Sequence, residues 1–324
     1  MLDRRWGPVA VIAVLFAGHG AEHPGMGQDW VGPGSALVEL AGSLAGFDAG
    51  KLLRRGGPSL HHTQVVQPLL TAVNLTILAA LAQRGLAWQL CMGHSLGELA
   101  AWSASGAITA SDAVTLAARR GAILAELARA HPGAMLALRF DLAGATGEAE
   151  AAKLDEALAL GRAHGVVDPA VHNGPGQWVL SGQRPALAEI AKRFGGSFVA
   201  TDGAWHSRLM AAGVAPFRVA VEAAAANAQP RSRGIITNQD GCLCRPEQDF
   251  VAPFVAQMTD TVRWVACLRT LAKLEVRDAV LVGPSKALAG SLLATLGAKI
   301  DAGALRVHRV ETRRELDAVV ELLA

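Results

Sequence analysis

The feature that most constrains the fold is a Gly-His-Ser-Leu-Gly segment at residues 93–97. The apolar run before it, 88–92, is typical of a buried strand, and the following ELAAWSA is typical of a helix. In such a turn the glycines relieve steric clashes, and the serine hydroxyl is exposed above the turn. Ser95 is therefore a candidate nucleophile, and the N–H of Leu96 lies where a helix N-terminus could stabilise an oxyanion. The alternative is a structural turn, because this short pattern also arises by chance in a glycine-rich chain.

Strand-like and helix-like runs alternate along the chain, which is typical of α/β proteins. A buried helix is predicted after Thr63, ending at Gly85, and another is predicted with Ser111 near its start. The predicted fold class is α/β, with a large α/β-hydrolase-like domain that contains a parallel sheet and the nucleophile elbow.

A second unit is predicted inside the large domain. Residues 134–199 have the order strand, helix, strand, strand, helix, strand, with a Gly-Pro-Gly turn at 174–176 between the two middle strands. This is the order of a ferredoxin-like α+β unit. We therefore predict a small ferredoxin-like domain at 134–199 and a large domain formed by 1–133 and 200–324.

The apolar run at residues 9–17, after Arg4 and Arg5, has two interpretations. It resembles the apolar core of a signal peptide, but it also fits a buried parallel strand. The glycine-rich segment that follows fits the loop after a first strand, so a strand and a cytoplasmic enzyme are favoured. At nine residues the run is too short to span a membrane, and no other run was expected to reach that length, so no membrane partner is expected.

Composition excludes several classes of protein. A hydrophobic fraction of 51% rules out a disordered chain, and a net charge of +2 argues against a nucleic-acid-binding protein. The four cysteines are too few for a disulfide scaffold. Cys242 and Cys244 form a C-x-C pair that no second cysteine pair or histidine cluster completes, so no metal is expected.

A serine nucleophile needs a base, and the sequence contains ten histidines. His94 is adjacent to Ser95, but the elbow should turn the two side chains apart. His206 lies in a loop just before a helix, and the residue pattern gives no reason to prefer it to His172.

Eight segments in order resemble the malonyl-CoA:acyl-carrier-protein transacylases and the related acyltransferases of polyketide synthesis. The resemblance extends over nearly the whole chain. The segments are FAGHGAEHPGMG (16–27), TQVVQPLL (63–70), GHSLGELAA (93–101), RRG (119–121), VHNGPGQWVLSG (171–182), GAWHSRLM (203–210), AQMTDTVRW (256–264) and VGPSKALAG (282–290).

The resemblance implies a role for individual residues. Ser95 would be the nucleophile and His206 its general base and acid. Gln257 would orient the imidazole through its backbone carbonyl, so that no acidic third member is needed. The backbone N–H groups of Leu96 and His19 would form the oxyanion hole.

The resemblance also implies how the acyl group is held. Arg120 would pair bidentately with the carboxylate of malonyl, a contact that suits a planar guanidinium. Gln67 would help position the malonyl group, and Trp205, just before the implied catalytic histidine, would line the acyl pocket. Arg119 should face about 100° away from Arg120 on the helix, as a surface residue.

The chain departs from the family pattern at five positions. His19 and Glu22 stand where the family usually has Gln, Ala17 where it has Pro, Trp205 where it has Phe, and Ser285 where it has Gly. These differences indicate a divergent member in a specialised pathway.

The implied function is transfer of a malonyl group from CoA to the phosphopantetheine thiol of an acyl carrier protein, by a Ser-His ping-pong mechanism without a metal or redox cofactor. Alternatives are an acyl-carrier-protein acyl hydrolase, an acyltransferase for a non-malonyl group, and an inactive carrier-protein docking subunit. Arg120 disfavours the first alternative, and the intact Ser95, His206 and Arg120 disfavour the last.

Overall fold

Two β-sheets organise the fold of the residues that the structure, a computed structural model, describes: 11–30, 35–142 and 147–324. The strands of this part of the chain are β1 (Ile12–Phe16), β2 (Leu90–Gly93), β3 (Ala134–Arg139), β4 (Val167–Gly174), β5 (Gln177–Gly182), β6 (Ser197–Phe198), β7 (Gly234–Ile236), β8 (Leu243–Cys244), β9 (Asp278–Val282) and β10 (Arg306–Val310).

Helices cover both sheets. In the described residues the α-helices are α1 (Ala36–Ala45), α2 (Ala49–Arg55), α3 (Thr63–Gln83), α4 (Gly97–Ala104), α5 (Ala110–Ala130), α6 (Gly147–Arg162), α7 (Arg184–Phe194), α8 (Val214–Ala225), α9 (Val251–Ala256), α10 (Trp264–Lys273), α11 (Lys286–Asp301) and α12 (Arg313–Leu323). Short 3-10 helices lie at Pro58–His61 and Arg208–Gly213.

The first sheet has the strand order β10-β9-β1-β2-β7-β8 within the described residues. All its pairs are parallel except that β8 runs antiparallel to β7. Its central strands are aliphatic and almost fully buried, as expected for a parallel sheet covered on both faces. The prediction of a strand near the N-terminus is confirmed for 12–16, and residues 9 and 10 lie outside the described residues.

The pairing of β1 with β2 places two loops side by side. Phe16 pairs with Gly93, so both strands end at the same edge of the sheet. Ligands of parallel α/β sheets bind at the carboxyl ends of the strands. The loop after β1, which carries His19, and the turn after β2, which carries Ser95, therefore meet at this edge.

Helix α3 packs against α5 and α1, and most of its residues are buried. This explains why its sequence is apolar on nearly every face. The expectation that no further run reaches transmembrane length was wrong here, because α3 is long and apolar enough to cross a membrane by length and composition alone. With 78% of its apolar window buried inside the protein, it fits the description of a core helix equally well.

The second sheet is antiparallel, with the order β4-β5-β3-β6. It is formed by residues 134–198, and helices α6 and α7 cover it. The final strand, β6, has two residues. A cluster of apolar side chains that includes Leu136, Leu180 and Ile190 lies separate from the main core.

Backbone and side-chain contacts join the second sheet to the rest of the chain. Val262 donates its N–H to the carbonyl of Ala170 at 2.8 Å and accepts from the N–H of His172 at 2.9 Å. Asp168 accepts from Nε and Nη2 of Arg208 and from the Arg208 backbone N–H. These contacts hold β4 against Val262 and against the segment that follows His206.

Candidate active site

Ser95 lies in a tight turn between the end of β2 and the start of α4, with a φ angle of 50°. Left-handed backbone is unusual for a residue other than glycine, and it is often found at active sites. The flanking residues must be glycines, because no side chain would fit at either position. A Cβ at Gly93 would lie 2.0 Å from the carbonyl carbon of Gly97, and one at Gly97 would lie 2.3 Å from the carbonyl oxygen of Phe16. The predicted strand–turn–helix elbow is therefore present.

The hydroxyl of Ser95 contacts His206, with 2.7 Å between Oγ and Nε2. His206 also has a left-handed backbone, with φ 58°. Its Nδ1 lies 2.7 Å from the backbone carbonyl oxygen of Gln257. Because a carbonyl oxygen only accepts, Nδ1 carries the proton and Nε2 is left as an acceptor for the serine hydroxyl.

The imidazole of His206 is held in its neutral form. Burial lowers the pKa of His206 to about 3, and the positive charge of Arg120 contributes to this lowering. A neutral imidazole whose free lone pair faces a hydroxyl has the geometry of a general base.

Arg120 projects from α5 into the interior and is 4% exposed. Its Nη1 donates to Oε1 of Gln67 and its Nη2 to Oε1 of Gln257, both at 3.0 Å, while its Nε has no partner among the described residues. Burial lowers the pKa of Arg120 to about 10, which leaves the guanidinium charged at neutral pH. Neutral amides hold this charge, and no carboxylate of the described residues forms an ion pair with it.

The amide of Gln67 is oriented for this contact, because its Nε2 donates to Oγ1 of Thr63 at 2.7 Å. The neighbouring Arg119 is exposed, as predicted.

The loop after β1 lies directly against the elbow. A Cβ at Gly18 would be 2.2 Å from the carbonyl oxygen of His94 and 3.4 Å from the N atom of Leu96. Among the described residues, neither the N–H of His19 nor that of Leu96 has a hydrogen-bond acceptor. Two unpaired N–H donors beside a serine hydroxyl are what an oxyanion hole requires.

The side chain of His19 takes part in a small polar network. Its Nε2 donates to the carbonyl oxygen of His61 at 3.1 Å, so Nδ1 is unprotonated in the neutral imidazole. Burial lowers the pKa of His19, and the charge of Glu22 opposes that shift. Glu22 accepts from the Gly20 N–H at 2.7 Å and from Nδ1 of His61 at 2.8 Å, which fixes the loop.

The other histidines considered from the sequence lie outside this arrangement. His94 faces away from Ser95, and its Nε2 lies 2.8 Å from Oδ1 of Asn173. His172 stacks on Trp178 at 4.0 Å and contacts Glu150.

Trp205 is 6% exposed, and its indole Nε1 has no hydrogen-bond partner in the described residues. The indole packs over Gly203, where a Cβ would be 2.2 Å from Cη2 of the ring. Its role in the acyl pocket stays a prediction.

Two buried polar residues that the sequence analysis did not assign complete the site. Asn238 accepts from the N–H of Ser95 at 2.7 Å through Oδ1 and donates to the carbonyl oxygen of Gly93 at 2.7 Å through Nδ2. Glu98 accepts from the N–H of Asn238 at 2.8 Å. Glu98 is part of the GHSLGELAA segment, and a charged residue in the first turn of an otherwise apolar helix was the available signal. Asn238 gave no such signal.

A cavity of about 510 Å³ opens beside the elbow, between the loop after β1, the β4–β5 hairpin and α11. His19 and His94 line one side, Asn173 and Gln177 line the hairpin side, and the half-exposed Leu293 lies on α11. Among the described residues no cluster of His, Cys, Asp or Glu could hold a metal ion.

Comparison with known proteins extends these observations. The family model of the acyl transferase domain matches residues 14–282. The malonyl CoA-acyl carrier protein transacylase of Mycobacterium tuberculosis is 31% identical over 323 residues, which cover 96% of this chain and 100% of that protein.

Two further matches are a polyketide synthase protein and a solved structure. A spectinabilin polyketide synthase system protein of Streptomyces orinoci is 31% identical over 306 residues, 89% of this chain and 13% of that protein. The crystal structure of malonyl-CoA:acyl carrier protein transacylase from Xanthomonas oryzae superposes with a TM-score of 0.83 at 25% identity, covering 98% of this chain and 99% of that one. The family match and the identity along the whole length of a relative show that this chain is an acyltransferase of the malonyl CoA-acyl carrier protein transacylase family.

Proposed function

We propose that this protein transfers a malonyl group from CoA to the phosphopantetheine thiol of an acyl carrier protein. The name of the Mycobacterium tuberculosis relative supports both substrates. The observation that carries the proposal is the buried Arg120, whose charge is held by the side-chain oxygens of Gln67 and Gln257 and by no carboxylate of the described residues. A guanidinium in that state is suited to the free carboxylate of a malonyl group.

The proposed mechanism has two half-reactions. Oγ of Ser95 attacks the thioester carbonyl while its proton moves to Nε2 of His206. The N–H groups of Leu96 and His19 hold the oxyanion that forms. The CoA thiolate leaves with the proton from His206, and a malonyl ester remains on Ser95.

The second half-reaction runs the same steps in reverse. The thiol of the carrier protein loses its proton to His206 and attacks the ester carbonyl. The oxyanion collapses, and Ser95 departs with the proton that His206 returns. The carbonyl of Gln257 keeps Nδ1 of His206 protonated throughout, so no carboxylate is needed in the role of a third member.

The proposal extends to architecture and location. We propose a large α/β-hydrolase-like domain of residues 1–133 and 200–324 and a small ferredoxin-like domain of 134–199. The strand order β4-β5-β3-β6 and the separate apolar cluster support the small domain. Four free thiols support a reducing compartment, and we propose the cytoplasm.

Mass spectrometry of the intact protein tests the assignment. After mixing with malonyl-CoA, the wild-type chain should gain the mass of one malonyl group, and Ser95→Ala should gain none. A panel of other acyl-CoAs reads the acyl preference directly. A malonyl adduct on the Ser95→Ala protein would refute Ser95 as the acceptor.

Hydrolysis is the second candidate, because the loop after β1 places an imidazole at the cavity. Nδ1 of His19 carries no proton, and within the described residues it has no hydrogen-bond partner. A water molecule bound there could attack the acyl ester. Release of free malonate without a carrier protein, measured against transfer with one, separates the two activities.

A further inference from the structure

Glu98 lies in the first turn of α4, three residues after the proposed nucleophile, and it is 1% exposed. No basic side chain of the described residues forms an ion pair with it. A buried carboxylate without an ion pair is costly unless hydrogen-bond donors satisfy both of its oxygens. The donors that Glu98 meets are therefore informative.

Each oxygen of Glu98 faces a different part of the site. Oε1 accepts from the backbone N–H of Asn238 at 2.8 Å, and Oε2 accepts from the side-chain amide of Gln257. Asn238 in turn binds the N–H of Ser95, while the carbonyl of Gln257 binds Nδ1 of His206. Glu98 thus links the segment that holds the serine to the segment that holds the histidine.

The amide of Gln257 has a single orientation that satisfies its neighbours. Its Oε1 must face Nη2 of Arg120, which only donates, at 3.0 Å. Its Nε2 must face the carbonyl oxygen of Ser95, at 3.1 Å, and Glu98. Without an acceptor at Glu98, one amide hydrogen of Gln257 would be buried and unpaired, and the side chain would lose its main restraint.

The same contacts act on the pKa of Glu98. Burial raises the pKa of Glu98 to about 8, and the Asn238 N–H, the Gln257 amide and the charge of Arg120 all oppose that rise. The two donors that face its oxygens favour the ionised form, whereas burial favours the protonated form.

We propose that Glu98 is a positioning residue that keeps the Ser95–His206 pair and the Arg120 guanidinium in a fixed geometry relative to one another. It acts through Asn238 and Gln257 and touches no substrate. The inference rests on the proposed function, because it assigns to Glu98 the support of that same site. If the inference is correct, a single substitution of Glu98 should change both the reactivity of Ser95 and the preference for malonyl.

The Glu98→Gln variant is the direct test, since it keeps the shape and replaces one acceptor oxygen by a donor. Labelling of Ser95 by a fluorophosphonate reports the reactivity of the Ser-His pair without any acyl substrate. We expect this rate to fall by about 10- to 100-fold, the size of effect that residues supporting the ligands have at metal sites. The malonyl-to-acetyl preference should also fall, but not in an Arg120→Ala background, where the guanidinium is already absent.

Asp278→Asn is the matched control. Asp278 is also a 1% exposed carboxylate, it accepts from Arg306 and His308, and it starts β9 at the opposite edge of the sheet. This variant should lose thermal stability, yet label at the wild-type rate. A Glu98→Gln protein with wild-type labelling, or with an unchanged malonyl-to-acetyl ratio, overturns the inference.

A second variant decides the matter if Glu98→Gln does not fold. Gln257→Met removes the amide that Glu98 holds but keeps the carbonyl for His206, so it should lower labelling and malonyl preference together. Unchanged values would overturn the inference. A different result would separate the two proposals. If Glu98→Gln slows labelling relative to the wild type, but neither protein accepts malonyl from malonyl-CoA, the proposed acyl donor is wrong and the role of Glu98 stands.

Discussion

Gln257 accepts a hydrogen bond from Nδ1 of His206 through its backbone carbonyl and one from Arg120 through its side-chain carbonyl. One residue therefore sets the tautomer of the proposed base and holds the guanidinium proposed to bind the acyl carboxylate. A backbone carbonyl carries no full charge, so it orients the imidazole without raising its pKa as strongly as a buried carboxylate would.

The pH dependence of acylation should reveal this arrangement. The pKa of His206 is lowered from 6.5 to about 3, so the base form is already complete at pH 5. We expect kcat/KM for acyl loading to be flat between about pH 5 and 7, since a plot of kcat/KM reports the groups of the free enzyme. A loss of activity on acidification with a midpoint near 6.5 would contradict this expectation.

His206→Ala should lower the loading rate by about 10²- to 10⁴-fold at any pH.

Arg120→Ala should separate malonyl from acetyl substrates. The variant loses a charge-assisted contact worth about 2–4 kcal/mol with malonyl, which corresponds to roughly 30- to 1,000-fold in kcat/KM. Acetyl has no carboxylate, so its rate should stay or rise. The exposed Arg119→Ala is the matched control and should leave both rates unchanged. An equal fall for both substrates would mean that Arg120 is structural.

Trp205 should select against acyl groups with an α-branch. An indole in place of the usual Phe would leave less room beside the α-carbon, and one methyl group is worth about 1–3 kcal/mol of discrimination. We expect Trp205→Ser to lower the ratio of the malonyl rate to the methylmalonyl rate by a factor of some tens. An unchanged ratio in competition assays would show that the indole only packs over Gly203.

The loop after β1 allows a test of the oxyanion hole by backbone chemistry. His19→Gln changes the side chain but keeps the backbone N–H. Acyl loading should therefore stay within about threefold of the wild type, because a substitution that leaves the donor group in place has a small effect. His19→Pro removes that N–H and should cost about 10²- to 10³-fold. Thermal unfolding of both variants checks that the loop is intact. Comparable loading by the proline variant would exclude His19 as a donor.

Parts of this molecule could be predicted from local sequence because their causes are local. The elbow at Ser95 needs glycines within two residues, and the aliphatic run of β1 needs only burial on both faces. The helix α5 begins one residue after Thr109, whose hydroxyl accepts from the N–H of Asp112, three residues ahead.

Other parts depend on residues far apart in the chain. His206 is 111 positions from Ser95, and only the family resemblance distinguished it from His172. Asn238 lies 143 positions from the N–H that it accepts from, and no periodicity encodes such a pairing. Ser285, a departure from the family pattern, has a φ of −133°, so the position does not require glycine.

The left-handed backbone of Ser95 has a consequence for evolution and engineering. A residue other than glycine costs about 1–2 kcal/mol of folding free energy in this left-handed conformation. Glycine avoids that strain, and its own greater freedom in the unfolded chain costs less, roughly 0.5–1 kcal/mol. Ser95→Gly and Ser95→Ala both lack the hydroxyl, so their difference isolates the backbone, and the glycine protein should unfold at the higher temperature. Selection for thermal stability alone would therefore remove the residue on which the proposed chemistry depends, which makes Ser95 a position where heat resistance and turnover are opposed.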